Sequence, residues 1–490
     1  MKKFGLLLTI LLVVGLAGCG KSDNKTETKK EETAVVVEKE EAAQEEQILS
    51  DVVKIELSNS EILVNGEKIS EDKESAVYKA NDIIFYLENQ GIEYGEGKKK
   101  DEHSQIEGDA HTVVHITEPG TYELSGTLDA GQIFVDLGDG TKKEEEAVAT
   151  IILNNVDITC TVAPAVLFYR TYECAGDVEE ENATMDVDTT AAGANLVLAE
   201  GSKNKIYGSY VAEIYEECEL NEEGTEVVDS KKLHKYDGAI YSRRSMNISG
   251  TGSLDVVAEN EGIGSEMHLT INGGDIDIKS GNDGVNASED NISVFTMNDG
   301  VLNIQVTGET GEGDGIDSNG WLIINGGTVN SFSNAASMDS GIDADKGIYI
   351  NGGTVIATGN MPAELAEGKQ SVVSFGGREK LEADKKYKVK DADENVILEM
   401  SLKNAFSMLS VSVADISEEG SYALWLDDVQ LAEGRFDSAK MFGPGMMPQK
   451  GMMPPEGFKG SERPPMPDEM EPPSMPEGME PPVKPQDKKN

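Results

Sequence analysis

Acidic and amide side chains recur at matching positions in the second half of this chain, in a pattern that could bind a cation. Most of them lie in or beside short segments of the type Asp-Gly-Ile-Asp. The set comprises Asp283, Asn286, Asp314, Asp317, Asp339, Asp343 and Asp345. Carboxylates stacked at the strand spacing of about 4.8 Å repel one another unless they are protonated or bridged. Because Ca²⁺ prefers carboxylate, amide and carbonyl oxygens, the set predicts a calcium site.

A structural explanation of the same acids is that they occupy turns. Asp and Asn directly before Gly are expected in tight turns whatever the function of the protein. Turn geometry does not require the acids that follow the turn, Asp317 and Asp343. The column as a whole therefore favours calcium over turn chemistry alone.

The elements that would position these residues are short strands in a repeat that returns five times between Met246 and Ala357. Its Gly-rich turns end at intervals of 22, 26, 27 and 26 residues, which is a period typical of solenoids. Each repeat has two apolar-x-apolar segments and a third segment of polar residue, Gly and apolar residue. The third segments begin at Asp237, Glu261, Asp283, Asp314 and Ser340. Three short strands per repeat predict an all-β, right-handed parallel β-helix with a narrow apolar core.

Two other folds share part of this pattern. A β-sandwich with evenly spaced hairpins would not need the apolar columns to match between repeats, and here nearly every column matches in type. The calcium-binding nonapeptide roll has a shorter period and a Gly-Gly-x-Gly-x-Asp core that this chain lacks. The parallel β-helix remains the predicted fold.

The segments outside the repeat divide the chain further. A charged start, an apolar run and Leu16-Ala-Gly-Cys19 are similar to a bacterial lipoprotein signal peptide, with lipidation predicted at Cys19; a plain signal peptide or a membrane span is the alternative. The predicted divisions are a signal peptide (1–18), a disordered tether (19–48), an N-terminal β cap (49–118), the parallel β-helix (119–360), an antiparallel C-terminal β unit (361–440) and a disordered Pro/Met-rich tail (441–490).

The net charge of −49 argues against nucleic acid and anionic lipid headgroups as direct partners. Membrane contact is expected only through the N-terminal lipid, which would place the protein on the extracytoplasmic face. The cysteines after Cys19, namely Cys160, Cys174 and Cys218, are odd in number, so at least one is unpaired within the chain. Their spacing does not indicate zinc. The oligomeric state is left open.

With these features the chain resembles the secreted or lipid-anchored bacterial carbohydrate-binding β-helix proteins, whose fold is like that of pectate lyases. The resemblance lies in Gly120–Leu128, in Gln132–Val135, in Val156-Asp-Ile158 and in the Ile-Asn-Gly-Gly and Asp-Gly-Ile repeats. It implies calcium between coils and affinity for cellulose and acidic sugars without established cleavage. It also implies that Asp283, Asp314, Asp317 and Asp343 are calcium ligands. The acidic insertions at 137–147 and 177–190 depart from the family, which leaves the sugar preference open.

Aromatic residues near the repeats could stack on sugar rings, and the candidates are Tyr241, Trp321, Phe332 and Tyr349. The predicted function is a calcium-dependent, cell-surface polysaccharide-binding lipoprotein for cellulose or acidic, pectin-like glycans, without catalysis. One alternative is a calcium-assisted lyase or a hydrolase, for which Arg243 and Arg244 are the basic residues available in the regular repeats. Another is a structural or adhesive envelope protein that acts through its tail and acidic loops.

Overall fold

The computed structural model describes residues 52–436 of this protein. The predicted signal peptide, Cys19, the tether and the tail from 441 onwards lie outside the described residues. Within 52–436, helices long and apolar enough to cross a bilayer are absent. The same range contains one short α-helix, α1 (Gln105–Asp109), whose Ser104 and Glu107 form a capping box.

Strands make up most of the described chain, and the predicted all-β class is confirmed. The N-terminal strands are Val53–Leu57 (β1), Leu63–Val64 (β2), Glu67–Lys68 (β3) and Val77–Ala80 (β4). The strands of the first, irregular repeats are Thr112–Ile116 (β5), Gly120–Leu128 (β6), Gly131–Asp136 (β7), Ala149–Cys160 (β8), Val166–Arg170 (β9), Ala194–Leu198 (β10), Lys203–Gly208 (β11), Val211–Leu220 (β12) and Val227–Tyr236 (β13).

The regular repeats and the C-terminal unit supply the remaining strands. The regular repeats contain Gly238–Ser242 (β14), Met246–Gly250 (β15), Ser253–Ala258 (β16), Glu261–Ser265 (β17), Leu269–Ile271 (β18), Asp275–Ser280 (β19), Val285–Ala287 (β20), Val294–Met297 (β21), Val301–Val306 (β22), Ile316–Ser318 (β23), Trp321–Ile324 (β24), Thr328–Phe332 (β25), Gly347–Ile350 (β26) and Thr354–Gly359 (β27). The C-terminal unit contains Val373–Leu381 (β28), Lys386–Asp391 (β29), Val396–Ser401 (β30), Phe406–Ser412 (β31), Tyr422–Leu426 (β32) and Val429–Glu433 (β33).

Equivalent strands of successive repeats pair in parallel and form three rows. The first row runs through β15, β18, β21, β24 and β26, and the second through β16, β19, β22, β25 and β27. The third row, β5, β7, β9, β14, β17, β20 and β23, is parallel, and its outermost strand β4 is antiparallel. The first and second rows belong to one 19-stranded sheet, which is mixed because β2, β3, β28 and β31 join it antiparallel.

The apolar columns that the sequence predicts form the core between the rows. In the first row Ile248, Ile271, Met297, Ile324 and Ile350 follow one another in register, and each is at most 1% exposed. Residues two apart on a strand share a face, so each repeat adds a layer to the same core. Burial of these columns supplies the main driving force for stacking.

The Asn-Gly-Gly turns between the first and second rows hold the repeats in register. Asn351, Asn325 and Asn298 each donate a side-chain hydrogen bond to the asparagine of the preceding repeat, at 2.9, 2.9 and 2.8 Å. The closing glycines need their freedom: Gly300 has a φ of +94°, and a Cβ there would lie 2.6 Å from the carbonyl oxygen of Gly274. The turn sequence thus fixes both the bend and the spacing.

Two acidic regions differ from their predicted form. The insertion from Glu213 to Asp229, expected as a loop, forms most of an antiparallel hairpin, β12 with β13, that stands off the rows. Ser340-Gly341-Ile342, expected as a strand, makes only an isolated bridge between Ile342 and Ile316. The last third-row segment has no following repeat to pair with, which accounts for its short ladder. The thiols of Cys160, Cys174 and Cys218 are free.

Candidate functional site

Three carboxylates meet at the C-terminal end of the third row. Asp314 and Asp317 lie two residues before and one residue after Ile316, which begins β23. The parallel bridge between Ile316 and Ile342 places Asp343 beside Asp317. One oxygen of each of the three side chains lies within 4.8 Å of the others, and all three side chains are partly buried.

The preceding repeat continues this acidic cluster. The backbone N–H of Asp314 donates a hydrogen bond to Oδ1 of Asp283 at 2.7 Å. The N–H of Ser340 donates to Oδ1 of Asp314 at 2.6 Å in the same manner. Each of the two carboxylates therefore reaches the backbone of the next repeat, and this contact fixes its orientation.

Asn286 lies between the acids of two repeats with an unpartnered oxygen. Its Nδ2 donates to Oε1 of Glu261 at 3.0 Å and to Oδ2 of Asp283 at 3.4 Å. Its Oδ1 is buried and accepts no hydrogen bond from residues 52–436. A buried carbonyl oxygen without a donor is costly, and a hard cation would satisfy it. The donor set of carboxylates plus one amide oxygen therefore fits calcium.

The carboxyl groups of the cluster hold their protons unusually strongly. Burial raises the pKa of Asp314 to about 9, and the nearby Asp283 and Asp343 raise it further. Burial likewise raises the pKa of Asp317 to about 8 and that of Asp283 to about 7. Without a cation, much of the cluster would be protonated at neutral pH, so a cation would have to displace protons.

The two remaining acids of the predicted set lie at the edge of the cluster. Oδ2 of Asp339 accepts hydrogen bonds from the N–H of Gly313, at 2.6 Å, and from the hydroxyl of Ser337. This carboxylate therefore ties together two loops. Asp345 is exposed, and its charge raises the pKa of Asp317. The structure thus brings Asp283, Asn286 and the three clustered carboxylates together and leaves Asp339 and Asp345 around them.

Glu261 extends the cluster and is missing from the predicted set. It is 7% exposed, and burial together with Asp237 and Asp283 raises its pKa well above the ordinary value. The signal was in the sequence, since Glu261 precedes Gly262 as Asp283 precedes Gly284. The sequence alignment also placed Asp237 one residue out of register, because the structure pairs Gly238 with Glu261.

The structure contradicts two of the predicted sugar-stacking rings. Tyr241 is 4% exposed, and its ring centroid lies 5.8 Å from that of Tyr236, the last residue of the hairpin. The hairpin supplies a neighbour where sequence reasoning expected solvent. Phe332 is 5% exposed because it packs into the core of the C-terminal unit, so neither ring offers a face to a sugar.

Trp321 and Tyr349 remain half-buried on the outer face of the first row. Trp321 pairs with Gly347 across adjacent strands, so Tyr349 lies two residues along the same face. Lys346 Nζ lies 5.6 Å from the ring centroid of Trp321. The N–H of Lys346 donates to Gly320, and that of Asp345 donates to Ser318. These contacts place the tryptophan and the lysine around the corner from the acidic cluster.

The two arginines of the alternative enzyme hypothesis lie away from this cluster. Arg243 Nε donates to Glu266 at 3.4 Å, and its guanidinium carbon lies 5.0 Å from the ring centroid of Tyr169. Arg244 donates to the backbone carbonyl of Arg243. Arg243 follows β14, three strands from β23, a separation of roughly 14 Å at the usual strand spacing.

A family profile described as carbohydrate-binding domain-containing protein matches residues 110–403, more than half of the chain. The chain belongs to this family. A protein of Acetivibrio thermocellus (strain ATCC 27405) with the same description is 33% identical over 168 residues, which are 34% of this chain and 45% of that protein. The chain thus spans less than half the length of this relative.

A solved structure described as the polysaccharide lyase-like protein from C. thermocellum, gadolinium derivative, is also similar. It shares 22% sequence identity, covers 64% of this chain and 97% of its own, and has a TM-score of 0.34.

Proposed function

We propose that this protein binds polysaccharide at the acidic cluster of the third row, with calcium as the cofactor. The observation that carries the proposal is the meeting of Asp314, Asp317 and Asp343 within 4.8 Å in a partly buried setting. Three such carboxylates are costly together unless protons or a cation neutralise them. Membership of a carbohydrate-binding domain family supports a glycan as the partner.

An acidic glycan is the ligand that this site would favour. The chain carries 91 acidic and 42 basic residues, so its own field repels a polyuronate. A calcium ion, when bound, would link protein carboxylates to uronate carboxylates and invert the local sign of charge. Lys346 adds a positive group beside the same corner of the molecule.

Trp321 and Tyr349 would supply the apolar part of the contact. Their positions on one outer face of adjacent repeats give two aromatic surfaces next to the cluster. The C–H faces of sugar rings pack against such surfaces, while hydroxyl groups remain available for hydrogen bonds. The orientation of a glycan would follow from one charged and one aromatic anchor.

Binding without cleavage is the proposed activity. A calcium-assisted lyase needs a base beside the metal, and Arg243 lies roughly 14 Å from the acidic cluster by strand spacing. The contacts of Arg243 with Glu266 and Tyr169 give it a structural role. This arrangement favours a binding module over the lyase hypothesis.

We further infer that the three rows are the faces of a right-handed parallel β-helix, since parallel strands joined by crossover connections are almost always right-handed. We also propose that Cys19 is lipidated and holds the protein on the extracytoplasmic side of the membrane. The support for this location is the sequence Leu16-Ala-Gly-Cys19 after an apolar run. Mass spectrometry of the membrane-extracted protein would test the lipid.

Isothermal titration tests the function. The protein, first stripped of metal, is titrated with Ca²⁺ and then with polygalacturonate, with and without EDTA, while the absorbance of unsaturated products is followed. We expect saturable calcium binding, EDTA-sensitive polygalacturonate binding and no product. Product formation would establish a lyase, and the absence of calcium binding would refute the metal site.

A further inference from the structure

We propose a second glycan-binding site, in a cleft of about 680 Å³ between the second row and the C-terminal unit. It would take a neutral β-linked glucan chain and would need no metal. The inference rests on the proposed function in that it assumes a glycan-binding protein. It concerns a different face of the molecule, formed by different residues.

One wall of the cleft is a polar row that crosses four repeats. Asp255, Asp277, Asn303 and Asn330 are consecutive partners in the parallel register of β16, β19, β22 and β25. Asn330 Nδ2 donates to Oδ1 of Asn303 at 2.8 Å, and Asn303 Nδ2 donates to Oδ1 of Asp277 at 2.9 Å. Each amide nitrogen carries two N–H groups, and this ladder uses one of them. The row therefore presents oriented polar groups at the repeat spacing.

Apolar surface lies beside this polar row. Val257, two residues after Asp255 on the same face, is 41% exposed, although it is a large apolar side chain. Ile356 and Met400 also line the cleft, and Phe332 closes its end near the C-terminal unit. A wall that alternates hydrogen-bonding groups with apolar patches matches a sugar chain, whose rings have apolar faces and hydroxyl-bearing edges.

The cleft is built into the fold, because the second wall is fixed to the first. Asn404 donates from Nδ2 to the backbone oxygens of Val306, Phe332 and Ser333, at 2.8, 3.2 and 2.7 Å. Gln305 donates to Oδ1 of the same asparagine at 3.2 Å. These bonds hold the segment after β30 against the second row, so a ligand would find a preformed site with little ordering cost.

The charges of the lining favour a neutral ligand over a uronate. Asp255, Asp277 and Glu399 are opposed by only two lysines, Lys279 and Lys403. A polyuronate would meet a net negative surface here, and the compact carboxylate cluster of the third row has no counterpart. Hydroxyl groups, which donate and accept, suit the mixture of carboxylate, amide and ammonium groups.

Substitution of Val257 tests the site. Val257→Arg would place a long side chain across the cleft at an exposed position, where the cost in stability is small. Val301→Arg is the matched control, because Val301 lies on the same outer face of the same sheet and is not part of the lining. Cellohexaose is the neutral probe and polygalacturonate is the acidic probe, both titrated into the calcium-loaded protein.

We expect Val257→Arg to weaken cellohexaose binding about tenfold or more, and Val301→Arg to leave it unchanged. Polygalacturonate and calcium binding should stay the same in both variants. A second variant, Asp277→Ala, should also weaken cellohexaose binding, which separates a lost contact from a blocked cleft. EDTA should not affect cellohexaose binding.

Each other result has one meaning. Cellohexaose binding that Val257→Arg and Asp277→Ala leave intact would overturn the cleft site, as would polygalacturonate binding without any cellohexaose binding. In both cases the calcium-dependent function would stand. Cellohexaose binding that depends on Val257 in a protein that does not bind polygalacturonate would instead support the cleft and refute the function proposed for the acidic cluster. Binding of neither probe would refute both.

Discussion

One continuous row of residues on the third sheet changes character from one end to the other. In strand register it runs through Tyr78, His115, Phe134, Leu167, Tyr241, Gly264, Asn286 and Asp317. At the N-terminal end the rings of Tyr78 and His115 are stacked at 4.4 Å, and those of His115 and Phe134 are 5.2 Å apart. At the C-terminal end the same position carries an amide and carboxylates.

This comparison shows how one spacing can produce opposite energetics. Rings repeated at the strand separation attract one another, so the aromatic end satisfies itself. Carboxylates at the same separation repel, so the acidic end depends on protons or a cation. Gly264 marks the boundary, because a Cβ there would lie 2.8 Å from the ring of Tyr241. The aromatic end has a structural role, and the acidic end is suited to a ligand.

The largest expected effect comes from neutralising the acidic end. The double substitution Asp317→Asn, Asp343→Asn removes two carboxylates and should weaken calcium binding more than about 100-fold in titration calorimetry. Asp275→Asn, an exposed acid of the second row outside the cleft, is the control and should change nothing. Near-normal calcium affinity in the double variant would place the metal elsewhere.

The aromatic end should respond in stability and not in binding. Phe134→Ala removes a ring that is 7% exposed and in contact with His115 and Tyr169, and it should lower the free energy of unfolding by about 3 kcal/mol. Calcium affinity should not change. Denaturant unfolding measures the loss, with Phe134→Leu as a milder control. A loss of calcium affinity would show that the two ends are coupled.

The stability of the metal-free protein should fall as the pH rises. Between the ordinary pKa of 3.8 and the raised folded-state values of about 7 to 9, the folded chain binds more protons at Asp283, Asp314 and Asp317 than the unfolded chain does. The free energy of unfolding therefore decreases with pH in this window. We expect the melting temperature in EDTA to be lower at pH 9 than at pH 5, and excess calcium to reduce the difference. The same trend with and without calcium would argue against the site.

The smallest expected effect concerns the tryptophan beside the cluster. Trp321→Ala should weaken polygalacturonate binding about fivefold, the loss expected for one partly exposed aromatic contact. The other tryptophan of the chain gives a close control, because Trp425 is also half-buried and has Lys390 over its ring at 4.2 Å. Trp425→Ala should leave polygalacturonate binding unchanged. Equal losses in both variants would point to a general change in the fold.

Much of this arrangement was predictable from sequence because the repeat is strict. The columns of Ile, Leu and Met predicted the first and second rows, and the outward acids after each third-row turn predicted Asp317 and Asp343 as neighbours. Period and face determine these positions locally. The calcium ligands themselves remain a prediction, as do the lipid at Cys19 and the glycan.

The errors in the sequence analysis have physical causes. Tyr241 looked like a surface ring because nothing in the local pattern shows that β12 and β13 would fold over it. Phe332 was assigned to the surface because the docking of the C-terminal unit is a long-range event. The slip at Asp237 arose where the irregular repeats meet the regular ones. Long-range coverage, more than local structure, limited the prediction.

The antiparallel pairing of β27 with β31 bears on the length of the molecule. A stack of parallel strands ends in unpaired backbone groups, and such an edge can add another copy without limit. Here the chain folds its own strand β31 across the last second-row edge in the opposite direction, so a further repeat of the same kind cannot dock there. The protein thereby stops its own growth and avoids becoming the seed of a fibre.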